Sequence, residues 1–148
     1  MATSNRNDPL LGFNFRVEID GVQSGGFHEV SGLDSVQELI EYREGNEKTT
    51  SVRKLAGLSK FSNIVLKRGI TPNLDLWQWR KLVMDGKVQD ARRNVSIVLN
   101  DAQGQEVARW SLINAWPIKW VGPSLNATGD EVAIETLELV HEGLDRVS

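Results

Sequence analysis

Four glutamates in residues 130–143 are spaced in a way that could bring carboxylates together for general acid–base catalysis. On a helix, Glu131, Glu135, Glu138 and Glu142 would share one face, whereas on a strand they would not, because neighbouring side chains alternate between faces. The β-branched residues of the segment favour a strand, while periodicity alone leaves helix and strand open. A solvated row of acids is the more common interpretation of such a pattern.

Other residues with catalytic or metal-binding chemistry are sparse. The two histidines, His28 and His141, lie outside any H-E-x-x-H or comparable ligand spacing. The sequence contains no G-x-S-x-G nucleophile motif, no P-loop and no G-x-G-x-x-G phosphate loop. It also has no cysteine, which excludes disulfides, thiolate zinc sites and cysteine nucleophiles. We therefore expect no enzymatic activity, no metal and no cofactor.

Pairs of basic residues recur in the middle of the chain, near tryptophans in sequence: Arg53-Lys54, Lys67-Arg68, Arg80-Lys81 and Arg92-Arg93. A groove for single-stranded nucleic acid would combine such charges with aromatic platforms. The sequence pI of about 5.4 argues against that function, because such domains usually carry a net positive charge. We interpret the tryptophans as core, helix-packing or interface residues.

The net charge of −3 divides unevenly along the chain. Residues 1–42 hold seven acidic and two basic residues, and residues 94–148 hold eight acidic and three basic residues. Residues 43–93 hold five acidic and twelve basic residues. A basic middle between acidic ends is typical of a mixed solvated surface, of an anionic partner, or of self-complementary surfaces on copies of one chain.

The length of 148 residues fits a single domain over 1–148, and 40% hydrophobic with 25% charged residues is ordinary globular composition. No apolar run approaches the roughly 18 residues of a membrane helix, so we expect no membrane insertion by this chain. The polar residues 1–11 predict a flexible N-terminal arm and no signal peptide. Together with the absence of cysteine, this favours assembly in a reducing cytoplasm.

Period-two alternation predicts several strands with one buried face. They cover residues 13–19, 27–30, 36–44 and 64–66, a hairpin of 95–99 with 107–116 that ends at Pro117, and a short irregular or edge strand at 118–123.

One convincing helix is predicted over about 72–85, with Thr71 as N-cap, Pro72 at the first position and Gly86 after the end. A charged connector, 87–93, follows it. Seven or eight strands with one helix indicate an antiparallel sandwich or barrel.

The polar, turn-rich segment 45–60 is long for a connection inside a compact domain, which is typical of a loop with a function. As a free loop it would leave Leu55 and Leu58 exposed to solvent. From the residues alone, the chain is a non-enzymatic β domain with a functional loop at 45–60.

Seven sequence segments, taken in order, resemble those of a known protein family: residues 15–21, 26–33, 40–45, 66–71, 76–79, 115–120 and 126–139. The chain resembles the tail tube proteins of contractile phages and related contractile injection particles, and it is similar to the tube protein of type VI secretion. The resemblance runs over nearly the whole chain, from about residue 13 to residue 144. It rests on the ordered set rather than on any single phrase.

The resemblance implies a mainly β fold, in which two antiparallel sheets form a barrel-like sandwich with one flanking helix. It implies that residues 130–143 form a strand and that 45–60 is an extended hairpin reaching the neighbouring subunit and the adjacent ring. On that basis we expect inter-subunit or inter-ring contacts from six residues: Val52, Arg53, Lys54, Leu55, Leu58 and Lys60.

The implied function is that of a structural subunit. Hexameric rings would stack into a hollow conduit for DNA or effector cargo inside a contractile sheath, with baseplate and tube-initiator proteins as further partners. The implied location is a virion tail or contractile injection particle assembled in the bacterial cytoplasm. The alternatives are a tube-initiating or baseplate-proximal protein of the same fold and, less favoured, a β module that binds carbohydrate or nucleic acid.

Overall fold

The computed structural model describes residues 8–20, 26–46, 48 and 50–148, so most of the expected arm 1–11 lies outside the described residues. Nine strands and two helices are formed there. In chain order they are β1 (Phe15–Ile19), β2 (Glu29–Ser31), β3 (Val36–Tyr42), β4 (Arg53–Lys60), β5 (Ile64–Gly69), α1 (Asp75–Met84), α2 (Val88–Ala91), β6 (Arg93–Asn100), β7 (Glu106–Val121), β8 (Ile134–Val140) and β9 (Gly143–Arg146).

Two antiparallel sheets form the body of the protein, and the long strand β7 belongs to both. Its first part pairs with β6 on one side and β9 on the other, and β1 extends this first sheet beyond β6. Its last six residues pair with β8, which continues through β5 to β2 in the second sheet. Among the described strands, β1 and β2 each pair on one side only, and the mainly β fold is confirmed as a sandwich that does not close into a true barrel.

The bend that lets β7 change sheets lies at Asn114, which has a φ of 51°. The pairing with β6 shifts register at this point, as expected where a bulge re-aims a strand. A second irregularity follows Pro117, which has no N–H to donate. The prediction that the strand ends at Pro117 and that 118–123 is separate was therefore wrong, because a bulge accommodates the proline.

The core lies between the two sheets and is closed by α1. It contains aliphatic residues from both inner faces and two residues of the helix: Val17, Ile19, Val95, Ile97, Leu112, Ile64, Leu66, Leu137, Leu139, Leu76 and Trp79. Trp79 is buried, and its Nε1 donates to the carbonyl of Ala91 at 2.6 Å, which fixes α2 beside α1.

The helix α1 begins three residues later than predicted, at Asp75, and Thr71 is not its N-cap. The Thr71 hydroxyl instead accepts from the N–H of Asn73, and the Asn73 side chain accepts from the N–H of Asp75. These two local bonds form a turn that delays the helix. The expected connector 87–93 also contains the short helix α2, which sequence reasoning missed.

Strands β3 and β4 form a separate two-stranded hairpin, and among the described residues they pair only with each other. The predicted third strand, 36–44, ends at Tyr42. The expected 45–60 segment is strand from Arg53 onward, in agreement with an extended hairpin and not with a long free loop. The ambiguous 130–143 segment contains the strand β8, and β9 follows it as an additional strand.

Candidate functional site: the projecting hairpin

The hairpin is held together by cross-strand pairing and by a few side-chain bonds. Leu39 lies opposite Ala56, Ile40 opposite Leu55, and Tyr42 opposite Arg53. Near the base, the register shifts between Gln37 and Leu39, and the Gln37 side chain hydrogen-bonds the carbonyl of Gly57 and the hydroxyl of Ser59. A bulge of this kind increases the local twist of a two-stranded ribbon.

Both faces of the hairpin carry exposed apolar side chains. By strand alternation, Ile40, Tyr42 and Leu55 lie on one face and Leu39 lies on the other, while Leu58 lies at the bulge in β4. Leu39 is 59% exposed and Leu58 is 71% exposed, and none of the five is buried. A two-stranded hairpin is marginal in water, and exposed apolar clusters of this kind mark interaction surfaces. The hairpin is therefore the strongest candidate contact surface among the described residues.

The structure gathers all six expected contact residues in this hairpin. Val52 lies just before β4, and Arg53, Lys54, Leu55, Leu58 and Lys60 lie on it, all exposed. Glu38 pairs with Lys60 at 2.5 Å, and Glu41 lies opposite Lys54. Contact with another copy remains a prediction.

Sequence reasoning missed the β3 half of this surface. Val36, Leu39, Ile40 and Tyr42 are as exposed as the predicted β4 residues. The signal in the sequence was that apolar residues of 36–42 occupy both alternating positions, which a strand with one buried face does not need.

The acid row of 130–143 does not form a paired-carboxylate site. Glu131 precedes β8, and Glu142 follows it and accepts from Asn114 at 2.7 Å. Within β8, Glu138 faces outward and accepts from Asn63 at 3.0 Å, whereas Glu135 is buried. The carboxylates are thus separated by strand alternation.

Glu135 belongs to a buried ionic cluster that joins the second sheet to the helix α1. Arg68 Nε donates to Glu135 at 2.5 Å, and the Arg68 guanidinium also binds Asp75 at the start of α1. Trp120 Nε1 donates to the second oxygen of Glu135 at 3.2 Å. Burial disfavours the charge on Arg68, but the hydrogen bonds that Arg68 donates to Asp75 and Glu135 outweigh it and raise the pKa of Arg68. Every member is satisfied, so this cluster is structural.

A second charged group covers the outer face of the first sheet. Arg109 donates to Glu18 and Glu106, and Arg16 donates to Glu18 at 3.0 Å. Hydrogen bonds from Arg109 and then from Arg16 lower the pKa of Glu18. Val98, whose cross-strand neighbours are Arg16 and Arg109, is fully buried beneath them. These charges are paired within the chain, whereas the apolar side chains of the hairpin are left exposed.

The histidines do not suggest a metal site. His28 is exposed beside β2, and His141 lies between β8 and β9 near the base of the hairpin. In the described ranges, no group of three acidic or histidine side chains could hold a metal ion. Neither helix in that part of the chain is long and apolar enough to cross a membrane.

Comparison with known proteins agrees with this architecture. A family model for the T4-like virus tail tube protein gp19 matches residues 11–145. A chain in the cryo-EM structure of the sheath–tube complex of PVC, an extracellular contractile injection system, is 25% identical, with 98% of each chain covered and a TM-score of 0.80. A chain in the baseplate of the anti-feeding prophage is also 25% identical, with 96% of this chain and 97% of that chain covered and a TM-score of 0.79.

The fold is also that of Hcp1 from Flavobacterium johnsoniae, at 14% identity, with 91% of this chain and 95% of that chain covered and a TM-score of 0.63. None of the curated proteins matches the chain. The family match confirms the resemblance found in the sequence and the expectation that the chain is not an enzyme. The chain belongs to the T4-like virus tail tube protein gp19 family and is a structural tube subunit.

Proposed function

We propose that six copies of this chain join side by side into a ring and that rings stack into a hollow tube, held together in part by the hairpin. The observation that carries the proposal is the hairpin's apolar surface, which is exposed on both faces. Stacking of identical rings is a heterologous contact that propagates, so it needs two different complementary surfaces on each copy. A projecting hairpin supplies one of them.

Open strand edges support the lateral contact. Among the described residues, β1 pairs only with β6, and β2 pairs only with β5. The outer side of β2 is therefore an open sheet edge, which a strand of a neighbouring copy in the ring would extend.

The stacking contact uses the residues of β4. Leu55 and Leu58 are buried against the next copy, while Arg53 and Lys54 meet acidic residues there, with Val52 and Lys60 at the margin. The acidic segments 1–42 and 94–148 supply the opposite charge. One exposed ion pair is worth only about 0–1 kcal/mol, but a ring repeats it once for each subunit.

Wider partners follow from the neighbours in the PVC sheath–tube complex and the anti-feeding prophage baseplate. We propose a contractile sheath around the tube, baseplate and tube-initiator proteins at one end, and DNA or effector proteins in the lumen, in a particle assembled in the bacterial cytoplasm. Because one neighbour is part of a baseplate, the second candidate function is a tube-initiating or baseplate-proximal ring.

The test is a double charge reversal, Arg53→Glu with Lys54→Glu. The matched control is Lys81→Glu with Lys87→Glu, two exposed basic residues on α1 and just before α2. We expect both proteins to keep the circular dichroism of the unmodified chain, and only the hairpin variant to lose or shorten its tubes in negative-stain micrographs.

Unchanged tubes from the hairpin variant would contradict the stacking contact. Isolated rings from the unmodified chain, without tubes at any concentration, would instead favour the tube-initiating function.

A further inference from the structure

The hairpin leaves the sandwich where two segments cross at very close range: residues 32–34 before β3 and residues 61–63 after β4. Gly32 has a φ of 98°, and a Cβ at this position would overlap the carbonyl oxygen of Asn63. Only glycine allows this approach of the two backbones. The crossing brings Asp34 and Ser62 together.

All three polar groups of Ser62 are bonded at the crossing. Its N–H donates to Asp34 Oδ1 at 2.9 Å, and its hydroxyl donates to Asp34 Oδ2 at 2.6 Å. Its carbonyl lies 3.1 Å from Nε2 of His141, at the junction of β8 and β9. The Asp34 N–H in turn donates to the carbonyl of Gly32 at 2.9 Å. Ser62 therefore joins both ends of the hairpin to the sandwich.

The state of His141 follows from its partner. A carbonyl oxygen only accepts hydrogen bonds, so Nε2 carries the hydrogen in this contact. The Nδ1 atom is buried and has no hydrogen-bond partner among the described residues. The imidazole also packs against Phe61, with ring centroids 5.5 Å apart. The ring is thus held in one orientation from two sides.

The charge of Asp34 is stabilised by the same contacts. The Ser62 hydroxyl and then the Ser62 N–H lower the pKa of Asp34, and the electrostatic interaction with His141 lowers it further. Hydrogen bonds to an ionised carboxylate are stronger than bonds between neutral groups. The two bonds to the Asp34 carboxylate therefore hold the crossing more firmly than bonds between neutral groups would at the same exposed position.

We infer that Asp34, Ser62 and His141 form a clamp that fixes the direction in which the hairpin leaves the sandwich, and that they are positioning residues for the contact with a second copy. The inference rests on the proposed function. Strands β3 and β4 pair with no other described strand, so the crossing is what can set their direction. If the hairpin sampled many directions, only the fraction of molecules with the hairpin in the correct direction could bind a second copy. The apparent affinity for that copy would fall in proportion to this fraction.

The test compares Asp34→Ala with Asp34→Asn. The alanine removes both bonds to Ser62, whereas the asparagine retains an acceptor for the Ser62 N–H and places a donor beside the hydroxyl. Spin labels on Ala56→Cys in β4 and Gln78→Cys in α1, both exposed in a chain without native cysteine, report the hairpin direction in unassembled protein. Sedimentation of unlabelled protein gives the critical concentration for tube formation.

We expect Asp34→Ala to broaden the distance distribution between the labels and to raise the critical concentration by at least about tenfold, with circular dichroism unchanged. Asp34→Asn should restore most of both properties, which loss of bulk stability alone would not explain. If Asp34→Ala does not fold, Ser62→Ala, which removes only the hydroxyl bond, should show a smaller change in the same direction.

An unchanged distance distribution would overturn the clamp, and so would a broader distribution with an unchanged critical concentration. Either result leaves the proposed function intact if charge reversal at Arg53 and Lys54 still abolishes tubes. Failure of the unmodified chain to assemble under any condition would overturn both.

Discussion

The sandwich and the hairpin are both antiparallel β structure, yet the sandwich buries its apolar side chains and the hairpin leaves them exposed. In β5 and β8, buried and partly exposed residues alternate without a break. In β3 and β4, only one residue in each strand is even half-buried. One-sided burial makes the sandwich self-sufficient, whereas apolar residues on two open faces cannot stabilise an isolated chain. The proposed contact with a second copy would explain the hairpin sequence.

The largest effect on stability is expected in the buried ionic cluster. Arg68→Ala leaves Glu135 and Asp75 without their cation, and removing one partner of a buried pair costs about 3–5 kcal/mol. Urea unfolding measures the change. Lys67→Ala, at the next position with an exposed partner, Glu29, is the control and should cost no more than about 1 kcal/mol. Similar values for the two variants would show that the cluster does not stabilise the sandwich.

A matched pair of leucines separates the two regions most directly. Leu137 is 0% exposed in β8, and Leu137→Ala should lower the free energy of unfolding by about 2–5 kcal/mol. Leu58→Ala in β4 should change it by no more than about 0.5 kcal/mol.

For tube assembly we expect the opposite order, with the larger effect from Leu58→Ala. Burial of a leucine is worth about 1.5–3 kcal/mol, so Leu58→Ala should raise the critical concentration for tubes by about tenfold or more. Sedimentation measures it. A Leu58→Ala protein that is strongly destabilised as a monomer would mean that Leu58 packs within its own chain.

The smallest effect is expected for the ion pair between Glu38 and Lys60, whose side chains are both exposed. Lys60→Ala should cost about 0–1 kcal/mol of stability, and the effect should fall as salt is added. A double-mutant cycle with Glu38→Ala isolates the pair. A coupling energy well above 1 kcal/mol would show that the hairpin has substantial stability of its own.

Much of the sandwich could be predicted because its strands bury one face. The alternation of β1, β5, β6 and the first part of β7 carries that signal directly. Strand β4 does not, since neither of its faces is buried within the chain, and the sequence alone suggested a loop there. The passage of β7 through Pro117 was missed because a bulge, which depends on the partner strand, removes the need for a proline N–H.

For the candidate site, the family resemblance identified the β4 side chains but not those of β3. The clamp could not be predicted from sequence. Asp34 and Ser62 are 28 positions apart, and His141 and Ser62 are 79 positions apart, so no local pattern relates them. Only the topology, which brings the ends of the hairpin beside the β8–β9 junction, puts them in contact.

Strand β7 connects the two sheets through 16 residues of unbroken backbone that bend at Asn114. A pull that separates the sheets is transmitted along this covalent chain as well as across the side-chain packing between them. The ladders to β6 before the bend and to β8 after it then resist in shear, where many hydrogen bonds have to break at once. The two layers of the sandwich are therefore joined by one continuous strand and not by side-chain packing alone.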